Sequence, residues 1–375
     1  MLNFLRILTI LIVCNLSVFG YEYDASTLEL VHVVFRHGNR TIDRVSQYPT
    51  DPHINETYYP YGYGQLTNGG RLREYRLGKA LRKRYDRFLG DVYTPTILDA
   101  VSTEVNRTKM SLELVLAGLF PPRGTLLEWE KELNWQPIPY NYLKFAEDHI
   151  LSWAQNYCRN YITLYEEYLR SPPGMRVLNR HRKLFKYIND NTGLNVTTPF
   201  DVFLLNAGLI AEEEWGLKLP EWTEVVYPKY IEEAVIDHYI LGSATPELKQ
   251  LSGGFLLKKI ITDTFDKITG SLVPPDRKIF LYSAHDFTIS YLLNALEVFF
   301  KHSPPYGACI LVELHRIHDV YGIMLFYENY TRDQPRRLKV PGCGYFCPLD
   351  EFVSLLEKNL PVDDNACDSN VYWSK

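Results

Sequence analysis

The stretch that most restricts the fold is Leu28-Glu29-Leu30-Val31-His32-Val33-Val34-Phe35-Arg36-His37-Gly38-Asn39-Arg40. The mainly apolar, β-branched run from Val31 to Phe35 has the composition of a buried parallel strand. It ends abruptly in two arginines, a histidine and a glycine. In open α/β sheets a ligand sits beyond the carboxyl ends of the strands, where loops present side chains and backbone N–H groups to a crevice. Charge therefore collects where a site is expected.

Arg36 and Arg40 offer planar, permanently charged forks that match phosphate or carboxylate oxygens. His37 between them can serve as nucleophile, base or metal ligand. Beside two fixed cations the protonated imidazole is repelled, so the ring stays neutral to lower pH than usual. A neutral imidazole among arginines suits attack on a phosphoryl group, because the arginines screen the substrate's charge and stabilise the equatorial oxygens of the transition state. Two further stretches share the layout of strand, polar turn and helix start. Thr96 to Val101 reads as a strand, Ser102 to Thr108 as a turn and Lys109 to Leu119 as a helix, placing Arg107 at the same sheet edge near the positive helix end. Lys278 to Tyr282 reads as a strand that leads into Ser283-Ala284-His285-Asp286 and a helix through Leu296.

Arg36-His37-Gly38-x-Arg40 resembles the RHGxRxP motif of the histidine acid phosphatases, whose histidine becomes transiently phosphorylated. Ser283-Ala284-His285-Asp286 resembles the HD motif of the same family, and the two stand in the family's order. Leu66 to Gly70 is similar to its Leu-Thr-x-x-Gly. The likeness runs from Leu28 to Cys367 and is nearest to the secreted, prostatic-like members, insect venom acid phosphatases included. It implies a three-layer α/β/α fold with a central mixed sheet, phosphoglycerate mutase-like, and a smaller, mostly helical cap domain. It implies His37 as nucleophile, Asp286 as proton donor and then base, and Arg36, Arg40, Arg107 and His285 as phosphate ligands, with Arg82 approaching the pocket. The resemblance carries hydrolysis of small phosphomonoesters at acidic pH without metal or organic cofactor, and homodimer formation. It also pairs Cys343 with Cys347 and Cys158 with Cys367, and leaves Cys309 free because the position of its usual partner is Ala211.

Other features bound the reading. Met1 to Gly20 carries Arg6, an apolar run from Ile7 to Cys14 and a small residue at its end, the pattern of a secretory signal peptide rather than a membrane span. The mature chain is expected outside the cytosol, extracellular or lysosomal, and away from the membrane. A net charge of -5 and a pI near 6.1 give no general basic surface for nucleic acid. Cys158, Cys309, Cys343, Cys347 and Cys367 remain, an odd set that leaves at least one thiol free or intermolecular in an oxidising compartment. Asn55, Asn195 and Asn329 head surface glycosylation sequons; Asn39 and Asn106 also fit but lie inside the motifs and are expected bare.

The composition divides the chain into residues 21–125 and 250–375 as the α/β catalytic domain and 126–249 as a helical cap insertion. Thr67 caps a helix to about Leu89 with Leu77, Ala80, Leu81, Arg84 and Phe88 on one side. Within the insertion, Leu127 to Trp135, Asp148 to Tyr168, Met175 to Ile188 and Thr223 to Leu241 read as helical, and a further helix runs from Gly254 to Ile268. Ala308 to Leu314 and Tyr321 to Tyr327 read as strands joined by His315 to Asp319, whose histidines lack a matching acidic ligand set. The irregular loop from Asp43 to Gly64 is long enough to suggest function. Ile42 stands where the motif has proline, a change that bears on the stiffness of this loop more than on chemistry. Two competing readings remain: a narrower inositol-phosphate or lysophospholipid phosphatase, and a catalytically weak secreted binding protein or allergen on the same fold.

Overall fold

The computed structural model describes residues 25–368, so the expected signal peptide lies outside the described residues. Eight strands among them form one mixed sheet: β1 (Leu28–Arg36), β2 (Leu98–Ser102), β3 (Asn141–Tyr142), β4 (Ile279–Ala284), β5 (Cys309–Ile317), β6 (Val320–Glu328), β7 (Arg336–Leu338) and β8 (Phe346–Pro348). The spatial order is β3-β2-β4-β1-β5-β6-β7, with β8 pairing β6. The strands β3, β2, β4 and β1 run parallel, and β5 and β6 add antiparallel pairs. The run Val31 to Phe35 is thus central and buried on both faces, as its composition requires.

Helices cover both sides. On one face Val31, Val33 and Phe35 pack with α1 (Asn68–Leu89) and α2 (Asn106–Leu119). On the other, Leu30 and Val34 meet α9 (Phe255–Thr269), α10 (Asp286–Ala295) and α11 (Leu349–Leu356). Between β3 and β4 the chain builds α3 (Arg159–Arg170), α4 (Pro172–Thr192), α5 (Pro199–Trp215), α6 (Thr223–Val226), α7 (Lys229–Leu241) and α8 (Pro246–Lys249), and α4, α5 and α7 share an apolar cluster of their own. Disulfides join Cys158 to Cys367 and Cys343 to Cys347, and Cys309 is a buried free thiol.

Several element boundaries differ from the sequence reading for local reasons. Leu127 to Trp135 is not a helix: the Thr125 hydroxyl accepts the Leu127 N–H, and the carboxylates of Glu128 and Glu130 accept from Gly124 and Glu132. Side chains that satisfy nearby backbone donors compete with the helical ladder. Asp148 likewise binds the amides of Ile150 and Leu151, so helix begins only at Arg159. The stretch from Thr223 to Leu241 breaks at Tyr227-Pro228, where proline has no amide to continue the ladder. Helix α5, capped by Thr198, had no counterpart in the reading, and the short strands β3, β7 and β8 gave too little periodicity to register. The β5–β6 hairpin turns at His318 and Asp319, both with positive φ, so His315 lies within β5 and hydrogen-bonds Glu313.

Arg84, the one polar member of the apolar side of α1, has a partner in the core. Its Nε donates to Glu313, a fully buried carboxylate that also accepts from the Tyr85 hydroxyl at 2.7 Å. Without Arg84 the buried carboxylate keeps only Tyr85 and His315 as partners, so Arg84→Ala is expected to cost about 3 kcal/mol. A thermal melt that matches the unsubstituted protein would contradict this.

Candidate active site

Parallel register assembles the site. Arg36 at the end of β1 pairs with Ala284 at the end of β4, and Ser283 of β4 pairs with Ser102 at the end of β2. The next residues, His37 and His285, leave the sheet side by side, with their rings 5.4 Å apart and nearly perpendicular. The His37 amide still donates to Ala284 at 3.0 Å, which ties one motif to the other. Arg107 lies in the first turn of α2, which starts earlier than its sequence pattern indicates.

The protonation state of His37 follows from its partners. An arginine Nε–H can only donate, and that of Arg107 points to His37 Nε2 at 3.0 Å. Nε2 therefore carries the lone pair, and Nδ1–H donates to the Gly38 carbonyl at 2.8 Å. Burial, then the charge of Arg107, the ring of His285 and the charge of Arg36, hold the imidazole well below its ordinary pKa. His285 is lowered in the same way, by burial first and then by Arg107, Arg36 and Arg40. Its Nε2 pairs with the Thr103 hydroxyl at 3.1 Å and its ring stacks on Phe287.

Arg36 reaches Asp286 at 2.9 Å and the Pro304 carbonyl, and its guanidinium lies 4.1 Å from the ring centre of Tyr306. Asp286 opens α10, where its other oxygen accepts the Phe287 amide at 2.8 Å. Arg40 and Arg107 converge on Asp43, at 3.4 and 3.3 Å. The six residues singled out in the sequence thus form one linked cluster of nitrogen donors around a neutral imidazole, with a carboxyl at its margin. Arg82 is not among them: it folds back on Asp86 and the Gly90 carbonyl near the far end of α1. Asp43 and Tyr306 were missed. An acid three residues after Arg40, inside a basic motif, was a usable signal for the first; nothing local marks the second.

The motif loop is held from behind. Its Asn39 carbonyl accepts the Thr67 amide, and Gly64 N–H donates to Ile42. Ile42 is fully buried against Tyr58 and Ala211, so packing supplies the stiffness that proline gives elsewhere. Gly38 sits on Gly70 in the first turn of α1, where a Cβ on Gly38 would lie 2.6 Å from the Gly70 carbonyl oxygen.

The histidine phosphatase superfamily (branch 2) model matches residues 27–334. The chain is 38% identical over 344 residues to venom acid phosphatase Acph-1 of Apis mellifera, spanning 91% of this chain and 88% of that one. It is 34% identical over 343 residues to human prostatic acid phosphatase, spanning 90% and 87%. The structure of the Citrobacter braakii phytase superposes with a TM-score of 0.64 at 16% identity, covering 91% of this chain and 99% of that one, a likeness of fold. The chain belongs to the histidine phosphatase superfamily, branch 2.

Because a Cβ on Gly70 would fall on the Asn39 carbonyl, Gly70→Ala is expected to push the motif loop out of line. A displacement of about 1 Å at reacting groups costs on the order of 10²-fold in rate. Phosphate-ester hydrolysis by a folded Gly70→Ala protein at an unchanged rate would sink this expectation.

Proposed function

We propose that this protein is a secreted acid phosphatase that hydrolyses phosphate monoesters through a phosphohistidine at His37. The observation that carries the proposal is the Arg107 hydrogen bond, which leaves the His37 Nε2 lone pair facing the cluster of arginines. In the first step Nε2 attacks phosphorus, the P–O bond to the leaving group breaks, and protonated Asp286 gives its proton to the departing oxygen. In the second, Asp286 as carboxylate takes a proton from water, the water oxygen attacks phosphorus, and the P–N bond pair returns to Nε2. Arg36, Arg40, Arg107 and His285 hold the phosphoryl oxygens and stabilise the charge that builds on them.

Residues 126–249 form the cap that walls the leaving-group side, although β3 within that range also extends the sheet. Residues 1–20 act as a secretory signal and Asn55, Asn195 and Asn329 carry glycans; Asn55 and Asn195 are exposed. The disulfides fit an oxidising compartment. Two copies associate as a homodimer. The buried Ile42 weighs against a catalytically weak binding protein, since the loop is braced without proline.

The pH behaviour has a definite sign. The reactive form of His37 is neutral, and its lowered pKa keeps it neutral into acid. Turnover of an aryl phosphate is therefore expected to persist at about pH 5 and to fall off on the acid side only well below the ordinary histidine range. His37→Ala is expected to abolish the activity, and Asp286→Ala to reduce it by about 10²–10⁴-fold. Phosphate release by His37→Ala at the rate of the unsubstituted enzyme would end the proposal. So would the lack of an acid-labile phosphoryl group on His37 in rapidly quenched enzyme.

A further inference from the structure

The loop from Asp43 to Gly64 meets α5 across a buried, acid-rich junction. Glu212 on α5 is fully buried, and neither of its carboxyl oxygens has a hydrogen-bond partner. Asp51 on the loop, 4% exposed, accepts the His53 amide at one oxygen and leaves the other buried and unpaired. The buried hydroxyl of Tyr58 is unpaired beside them. The Tyr48 hydroxyl is buried and unpaired as well, and burial first, then the charges of Glu212 and Asp51, push both hydroxyls upward.

Two unscreened carboxylates cannot both stay ionised in such a place, because each loses its hydration and repels the other. Asp51 is the charged group that acts on Glu212; α4, α7 and the turn Arg44–Ser46 pack against the same helix without adding a cation to it, since Arg44 stacks on Tyr63 and the His53 ring pairs with the Lys218 carbonyl. One proton resolves the conflict, since an O–H from one acid to the other gives a short, charge-assisted bond and satisfies the stranded oxygens. Burial, followed by the charge and hydrogen bond of Asp51, pushes Glu212 up to about 8.

The junction is tied to the catalytic cluster through the loop. Ile42 and Tyr58 pack on Ala211, the neighbour of Glu212, and Thr50 binds the backbone of Asn191 and Thr192 at the end of α4. At the other end of the same loop Asp43 braces Arg40 and Arg107. We propose that Glu212 and Asp51 share a single proton, clasping the loop to α5, and are positioning residues that keep Asp43, Arg40 and Arg107 in place. The clasp stands on the burial and the unpaired oxygens of Glu212 and Asp51; its effect on catalysis rests on the function proposed above.

The sign is set by the direction of the shift. A carboxyl whose pKa is raised by folding contributes stability that is fully present below its ordinary value of 4.5 and is lost as pH climbs to about 8. Glu212→Gln keeps the shape and donates an amide N–H to Asp51 without needing a proton. Between pH 5 and pH 8 the melting temperature of the unsubstituted protein is expected to fall by about 5 °C more than that of Glu212→Gln. Over the same range its KM for an aryl phosphate is expected to rise more steeply than the variant's. Parallel melting curves would overturn the shared proton, as would stabilisation at pH 8 by millimolar Ca²⁺ that Glu212→Gln abolishes, which would make the junction a cation site. Diverging melts with parallel KM profiles would overturn the positioning role. Should Glu212→Gln not fold, Asp51→Asn carries the same expectations. The melts need no substrate, so they stay informative even if the protein proves not to be a phosphatase.

Discussion

The pairing of β1 with β4 in parallel register is the constraint on which the rest depends. Arg36 beside Ala284 brings two motifs almost 250 residues apart in the chain to adjacent strand ends, and the His37 amide closes on the Ala284 carbonyl. A slip of one residue would turn Arg36 and His37 to opposite faces and separate the two rings. The apolar layers on both faces oppose such a slip, since every residue of Val31 to Phe35 is buried.

The cost of this arrangement is electrostatic. Three guanidinium groups and two imidazoles share a space largely removed from water, and the structure offsets their repulsion with three devices. Asp286 neutralises Arg36, Asp43 spans Arg40 and Arg107, and both histidines remain uncharged. In the proposed mechanism these devices have chemical use: the neutral ring keeps its nucleophilic lone pair, and the arginines receive the phosphoryl oxygens.

Glu212 and Asp51, buried carboxyls with unpaired oxygens, pose the opposite problem, negative charge without a cation beside it. The loop that Ile42 and Tyr58 anchor connects them to the cluster of arginines.

Much of the fold was legible in the residues. The unbroken apolar run of β1, the Thr67 cap of α1 and the strand-turn-helix order around His37, Arg107 and His285 are local patterns, and local patterns determine which elements form and where charge must gather. The cysteine pairs and the roles of the six clustered residues rest on likeness to a family whose motifs the chain carries. Tertiary structure alone decided that Arg84 meets Glu313, that Tyr306 covers Arg36, and that Glu212 lies beside Asp51. Each of these depends on partners remote in the chain, and burial, which sets the charge state of His37 and Glu212, exists only after the layers have closed over them.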